Sequence, residues 1–106
     1  MAQFDVFRNQ GRNRGEIPFV VVVQSGLYDA YRRRVVVPLV KASSLGSIAN
    51  THFNPAFEIE GITVVLHPLE IVSVPRDQLT DFVCSLADEG SRILDALDDL
   101  LTQAWH

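Results

Sequence analysis

The side chains that could carry chemistry are too scattered in this sequence to form a catalytic or metal-binding motif. His52, His67 and His106 are far apart, and none has the His-x-x-x-His spacing that puts two metal ligands on one helix face. No serine stands in a Gly-x-Ser-x-Gly turn, and the Gly11–Gly15 segment lacks the Lys-Ser/Thr of a phosphate loop. We therefore expect no catalytic residue, no metal and no cofactor, and interpret the chain as a binding protein and not an enzyme.

The charges are distributed unevenly along the chain. The formal net charge is −4, so the sequence lacks the overall positive charge of a nucleic-acid-binding protein, and we expect no direct nucleic-acid partner. Residues 77–99 are acidic, with Arg92 as their only cation, whereas arginines concentrate in the first third of the chain. This asymmetry either orients partners through the electrostatic field or reflects a solvated loop and helix face. The early arginines are Arg8, Arg12, Arg14, Arg32, Arg33 and Arg34.

Two groups of large apolar side chains are candidates for contact with a partner. Leu27, Tyr28 and Tyr31 fall in a predicted loop, where they either form a contact surface or tuck under the sheet. Trp105 stands next to the end of the sequence, and tryptophan is enriched among the residues that dominate interfaces. Trp105 can equally cap the core at the end of a helix, so both interpretations remain open.

Length and composition predict one domain spanning residues 1–106. Hydrophobic residues make up 47% of the chain, so either much of it is interior or a partner covers apolar surface, and a homodimer is the simplest such partner. Cys84 is the single cysteine, which excludes an internal disulfide. Because the sequence shows neither a signal peptide nor an apolar run approaching the ~20 residues of a membrane span, we expect a cytoplasmic protein without membrane contact.

The elements that must position these residues begin with a central pair of strands. Ile17–Gln24 and Arg33–Val40 are rich in β-branched residues, and the segment between them is too short for a helical crossover. They therefore predict two antiparallel strands in the middle of a small sheet. Pro38 cannot donate to a ladder, which predicts that its strand lies at a sheet edge, or bends or ends there.

Four further segments are predicted to be strands around this pair. Gln3–Arg8 alternates loosely and predicts a first strand. The Glu60-Gly61 pair predicts a tight hairpin between Phe57–Ile59 and Ile62–Leu66, because glycine readily adopts a positive φ. Leu69–Val74 predicts another strand, stopped by the following proline.

The last third of the chain predicts helices. Apolar residues at helical spacing favour a helix over Arg76–Ala87, with Cys84 as a small core residue. A second helix is predicted from a cap at Asp88 or Ser91 to the end of the sequence. Strands followed by one main helix predict a small antiparallel barrel or sheet with a C-terminal helix.

Five segments, in order and at near-equal spacing, resemble the CcdB family of toxins from plasmid-type toxin–antitoxin pairs. They run through the whole chain: Gln3–Phe7, Phe19–Ser25, Arg33–Leu39, Ser73–Pro75 and Ile93–Leu101. The resemblance implies an SH3-like, five-stranded antiparallel barrel with a small additional sheet and a C-terminal helix (CcdB/MazF-like). It also implies a cytoplasmic homodimer that binds the A subunit of DNA gyrase, traps the enzyme on cleaved DNA, and is neutralised by a cognate CcdA-like antitoxin.

Carried over by position, the resemblance places gyrase contacts in the loop after Val-Gln-Ser and at the end of the helix. Leu27 and Tyr28 occupy apolar positions of that loop. The helix-end contacts are Asp98, Leu101, Trp105 and His106. The family commonly ends in Trp-Gly-Ile, but a gapless alignment puts Thr102 at the position of that tryptophan. One alternative is therefore a CcdB-like dimer whose gyrase poisoning is lost or altered. A further alternative is an RNA-cleaving toxin of the related fold.

The charge pattern adds an expectation about the antitoxin. Family antitoxin tails are partly acidic and partly apolar, so the resemblance implies that the early arginines receive such a tail. The residues assigned to this contact are Arg8, Arg12, Arg14, Arg32 and Arg33. A basic loop that is merely solvated is the alternative interpretation.

Overall fold

The computed structural model describes residues 1–47 and 50–102, and they form a curled antiparallel sheet with one α-helix packed on it. Short 3₁₀ turns connect several of the strands. No helix in the described part of the chain is long and apolar enough to cross a membrane. The elements are β1 (Asp5–Arg8), β2 (Phe19–Val22), β3 (Arg33–Lys41), β4 (Ala56–Ile59), β5 (Ile62–Leu66), β6 (Val72–Pro75), β7 (Phe82–Ser85) and α1 (Gly90–Leu101).

The predicted central pair of strands is confirmed. The sheet has the order β4-β5-β3-β2-β1-β7, and β6 pairs with β3 outside that sequence of neighbours. Val20 lies opposite Pro38 and Val21 opposite Val37, so β2 and β3 are antiparallel at the middle of the sheet. All seven strands of the described residues join one hydrogen-bonded sheet.

Pro38 neither ends β3 nor puts it at a sheet edge, so two of the three alternatives predicted for this residue are wrong. The first half of β3 pairs with β6 as far as Val36, and its last three residues, from Leu39, pair with β5. The Pro38 carbonyl accepts a hydrogen bond from His67 N at 3.1 Å, so the polar groups of Pro38 face the gap between β6 and β5. A missing N–H is tolerated there because neither neighbouring strand needs it.

The predicted hairpin is confirmed with its turn. Ile59 lies opposite Ile62, and Glu60 and Gly61 have φ values of 54° and 75°. Two successive positive φ values are those of a type I′ turn, whose twist matches that of the flanking strands. Glycine adopts this conformation without strain, which accounts for Gly61 at the second position.

The helix predicted over Arg76–Ala87 is wrong. Arg76–Gln78 forms only a 3₁₀ turn, β7 follows it in antiparallel pairing with β1, and a second 3₁₀ turn begins at Ala87. Leu79 packs in a cluster on one side of the sheet, whereas Leu86 packs in the main core on the other. The apparent helical stripe therefore divides between two faces of the sheet, and Phe82 remains 55% exposed.

The C-terminal helix is confirmed, although neither predicted cap is used. The residue before α1 is Glu89, which makes no side-chain capping bond. Gly90 instead packs on the Phe4 ring, and a Cβ at this position would lie 2.6 Å from Phe4 Cε2. Ile93 and Ala96 on the next turns are fully buried, which fixes the helix over the main core.

Candidate functional site

The loop between β2 and β3 exposes its large apolar side chains. It contains a 3₁₀ turn, Gly26–Tyr28, in which Ser25 Oγ accepts a hydrogen bond from Leu27 N at 3.2 Å. Leu27 is 87% exposed, and the rings of Tyr28 and Tyr31 meet edge to face at 5.9 Å. The interpretation that these side chains tuck under the sheet is therefore wrong, and the loop has an apolar outer surface.

A cleft of about 450 Å³ lies beside this loop and is called the tyrosine cleft below. Gln24 organises its floor: the amide nitrogen donates to Tyr28 O at 3.1 Å, and the amide oxygen accepts from Val35 N at 3.0 Å. Arg33 forms part of the wall and donates to Ser73 through Nε at 2.7 Å. The cleft is lined by Gln24, Tyr28, Tyr31, Arg33, Val35 and Ser73.

Arg34 is a functional candidate that the sequence reasoning missed, because it was counted with the exposed arginines. Its side chain is only 2% exposed and forms an ion pair with Asp29 Oδ1 at 2.8 Å. It also donates to three main-chain carbonyls, those of Tyr31 at 2.5 Å, Arg33 at 2.9 Å and Asp29. The signal was present in the alternation of β3, since Arg34 stands two residues before the buried Val36.

The outer face of α1 forms a second exposed apolar surface. Leu94 is 48% and Leu101 71% exposed, seven residues apart on one side of the helix. They line a shallow groove of about 410 Å³ together with Leu97 and Asp98. The Asp98 carboxylate accepts a hydrogen bond from Thr102 Oγ1 at 2.9 Å, close to the last described residues.

The predicted gyrase contacts therefore fall into two surfaces that share no cleft. Tyr28 lines the tyrosine cleft, beside the exposed Leu27, whereas Asp98 and Leu101 line the helix groove. Trp105 and His106 lie outside the described residues.

Arg8 is occupied by intramolecular ion pairs. It donates to both carboxylate oxygens of Glu60, at 2.9 and 2.8 Å, and its Nε lies 3.1 Å from Asp81 Oδ2. The hydrogen bond with Arg8 lowers the pKa of the Glu60 carboxyl and raises the pKa of Arg8. Arg8 therefore ties the end of β1 to the β4–β5 turn and to the residue before β7.

Three of the other predicted arginines line two clefts. Arg12 belongs to a cleft of about 240 Å³ between the loop after β1 and the sheet, called the loop cleft, with Val20, Val36 and Val74 among its lining residues. Arg32 and Arg33 line a larger one of about 760 Å³, the arginine cleft, which also contains Arg76.

These two clefts adjoin, because Leu79 lines both of them. Arg14 is exposed on the loop after β1. Arg76 was not singled out from the sequence; its backbone N–H donates to Arg32 O at 2.8 Å, and the pairing of β6 with β3 brings it to the arginine cleft.

The residues with catalytic side chains stay apart in the described part of the chain, where no three His, Cys, Asp or Glu could hold a metal ion. His52 Nε2 lies 3.2 Å from Asp99 Oδ2 at the edge of α1, far in sequence from His67 beside β5. Cys84 lies on β7 and not on the predicted helix, and burial raises the pKa of its thiol. A raised pKa disfavours the nucleophilic thiolate.

The pattern of a curled sheet, one terminal helix and exposed apolar surfaces agrees with the comparison with known families. The family model described as CcdB protein matches residues 3–103. The chain belongs to the CcdB family. A comparison with curated proteins gives no match.

Membership of the CcdB family makes this chain a toxin of a toxin–antitoxin system. The family consists of gyrase poisons and is not a family of catalytic enzymes. An antitoxin and gyrase are therefore the partners that the CcdB family suggests in general.

Proposed function

We propose that this protein binds the A subunit of DNA gyrase, traps the gyrase–DNA cleavage complex, and is neutralised by a cognate CcdA-like antitoxin. The observation that carries the proposal is the loop after β2, where Leu27 is 87% exposed. An apolar side chain held in water gains free energy when a partner covers it, at about 25 cal/mol per Å². A gyrase target makes the cytoplasm the proposed location.

The gyrase surface is proposed to combine the loop and the helix end. Leu27 and Tyr28 supply the apolar contact on the loop, and Leu101 with Asp98 supplies a mixed contact on α1. Trp105 and His106, beyond the described residues, complete the proposed surface. Aromatic anchors surrounded by less critical contacts are typical of interfaces that bind tightly.

A homodimer is the proposed assembly. Several large apolar side chains outside the loop after β2 are exposed, among them Leu69, Val72 and Leu94 at 67, 47 and 48%. Burying such side chains against a second copy removes the aggregation hazard they create. A symmetric dimer would also present the loop and helix surfaces twice to the target.

The finer architecture proposed is a five-stranded SH3-like barrel with a small additional sheet. The strand pairing supports a division of the sheet into these two parts at Pro38, because β3 pairs with β6 before this residue and with β5 after it. The first half of β3 would join β6, β2, β1 and β7 in the barrel. Its last residues would form the small sheet with β4 and β5.

The antitoxin is proposed to bind through the arginines. Arg12, Arg14, Arg32 and Arg33 are exposed, and the apolar lining of the loop cleft suits the apolar part of a tail. Arg8 is proposed to contribute by exchanging its partners Glu60 and Asp81 for an acidic side chain of the tail. Binding should weaken steeply with salt, because exposed charge pairs are screened.

A second candidate function is a CcdB-type protein that no longer poisons gyrase. The feature that favours it is Thr102, which a gapless alignment puts at the position of the family's tryptophan. Thr102 directly follows α1, and its hydroxyl donates to Asp98 O at 2.6 Å. Such a protein would bind antitoxin without producing DNA breaks.

The test is to mix the purified protein with gyrase, supercoiled DNA and ATP, and then to denature the enzyme. Gyrase-dependent linear DNA is the expected product, and Leu27→Asp should abolish it because a carboxylate would be desolvated at the contact. Ser44→Asp is the matched control, since it adds the same charge to an exposed 3₁₀ turn elsewhere. Absence of breaks with gyrases of several hosts would favour the second candidate, and RNA cleavage by the protein alone would contradict both.

A further inference from the structure

Beyond Val23, which packs in the main core directly after β2, the loop that leads to β3 buries no apolar side chain. None of the residues of its turn, Gly26–Tyr28, is buried, and Tyr31 after it is 65% exposed. A segment that buries no apolar side chain gains nothing from the hydrophobic effect and opens readily. Some other interaction must therefore hold Leu27 and Tyr28 in one arrangement.

Besides the hydrogen bond from Gln24 Nε2 to Tyr28 O, the buried guanidinium of Arg34 supplies that interaction. It donates four hydrogen bonds, all to residues 29–33: to the carboxylate and carbonyl of Asp29 and to the carbonyls of Tyr31 and Arg33. Arg34 is also the only buried charged side chain among the described residues, and its Nε has no partner among them. A buried guanidinium with one unpaired N–H adds little to the stability of a fold, because the cost of desolvating the charge offsets much of its attraction to the carboxylate.

We propose that Arg34 is a positioning residue for the partner-binding loop. Its rigid fork fixes Asp29 and Tyr31, so that Leu27 and Tyr28 are held in the binding-competent arrangement before the partner arrives. A loop ordered in advance loses less conformational entropy on binding, which raises affinity without any contact from Arg34 itself. The assignment to gyrase binding rests on the proposed function, whereas the ordering of the loop does not.

Hydrogen exchange of the protein alone tests the ordering. The loop contains three backbone reporters, since the N–H groups of Tyr28, Asp29 and Tyr31 donate to Ser25 O, Gly26 O and Tyr28 O. In Arg34→Met, whose apolar side chain fills a similar volume, these three amides should exchange at least about tenfold faster. The amides of Val21 and Val37 in the central strands should keep their protection.

The melting temperature separates positioning from a purely structural role. We expect Arg34→Met to change it by only a few degrees, because the freed carbonyls of this exposed loop can be hydrated and an uncompensated burial of charge is removed. Arg34→Lys keeps the charge but not the fork, and should accelerate the same amides. Arg92→Met is the control, since it removes an arginine from α1 and should leave the loop amides unchanged.

Affinity for the isolated gyrase A subunit is the second measurement. Arg34→Met should weaken it about tenfold or more, mainly by slowing association or speeding dissociation of a loop that must now be ordered. Unchanged loop exchange in both Arg34 variants, or global unfolding of both, would overturn the proposal. If the unmodified protein does not bind gyrase at all, the proposed function fails, while faster loop exchange still establishes the positioning role.

Discussion

The two faces of the curled sheet are covered to different depths. The core between one face and α1 contains fifteen buried residues of the described chain, three of them on the helix itself; Phe19, Leu39 and Ile93 are at 0% exposure. The opposite face carries four, namely Phe7, Val22, Val36 and Leu79. The loop and arginine clefts open beside this smaller cluster.

The comparison indicates that one face holds the fold together, whereas the other has a smaller cluster with open clefts beside it. Packing to interior density requires the helix, since the sheet cannot cover its own apolar face. Among the described residues, Leu79, Met1 and the loop after β1 lie over the second face. Arg34 lies in the same alternation of β3 as Val36, so the buried charge belongs to the less covered face.

The largest expected effect is the loss of a buried side chain under the helix. Ile93→Ala should lower the free energy of unfolding by about 2–5 kcal/mol, because Ile93 is fully buried and its neighbours cannot collapse into the space. Urea unfolding measures the change. Asp95→Ala is the control on the exposed side of α1 and should change stability by about 0.5 kcal/mol or less. A loss below about 1 kcal/mol for Ile93→Ala would contradict the assignment of α1 to the main core.

A smaller effect is expected from the same kind of substitution on the other face. Leu79→Ala should lower the free energy of unfolding by about 2 kcal/mol, at the lower end of the usual range, because water from the adjoining clefts can fill the space. Since Leu79 lines both clefts, the substitution should also merge them.

Urea unfolding of Leu79→Ala and Ile93→Ala under the same conditions compares the two faces directly. Gln78→Ala, at an exposed neighbouring position, is the control. Equal losses from Leu79→Ala and Ile93→Ala would remove the distinction between the two faces.

The central strands, the β4–β5 hairpin and α1 were predictable from the sequence because each is determined locally. A run of β-branched residues, a Glu-Gly turn and helical spacing over Ile93–Leu101 each specify one element without knowledge of its neighbours. The continuation of β3 through Pro38 was not predictable, since it depends on β6 and β5 leaving a gap beside this residue.

The candidate site was only partly accessible from the sequence. The exposed loop followed from apolar residues between two strands, and its exposure was one of two open interpretations. The different surroundings of the arginines could not be predicted from the sequence, because only tertiary contacts pair Arg8 with Glu60, bury Arg34 and bring Arg76 beside Arg32. The helix predicted over Arg76–Ala87 was wrong for the same reason, because the pairing of β7 with β1 overrides a local helical pattern.

The smallest expected effect concerns the exposed ion cluster that joins β1 to the hairpin turn. Both Arg8 and Glu60 are largely solvated, so their pair is weak and screened by salt. The pKa of Glu60 is lowered from 4.5 by the hydrogen bond with Arg8. A carboxyl with a lowered pKa contributes stability that is fully present above about pH 4.5 and is lost as the pH falls through its folded-state pKa.

The difference in the free energy of unfolding between Glu60→Gln and the unmodified protein should therefore shrink as the pH falls. Glu60→Gln should be slightly less stable than the unmodified protein at pH 7, and the two should converge below the folded-state pKa, when Glu60 is protonated as well. Urea unfolding at several pH values measures this, and 1 M salt should shrink the difference at pH 7. Glu70→Gln, an exposed glutamate outside the cluster, should give a flat difference. If the Glu60→Gln difference is instead the same at every pH, the turn conformation at the positive φ of Glu60, and not its ion pair, controls this end of the sheet.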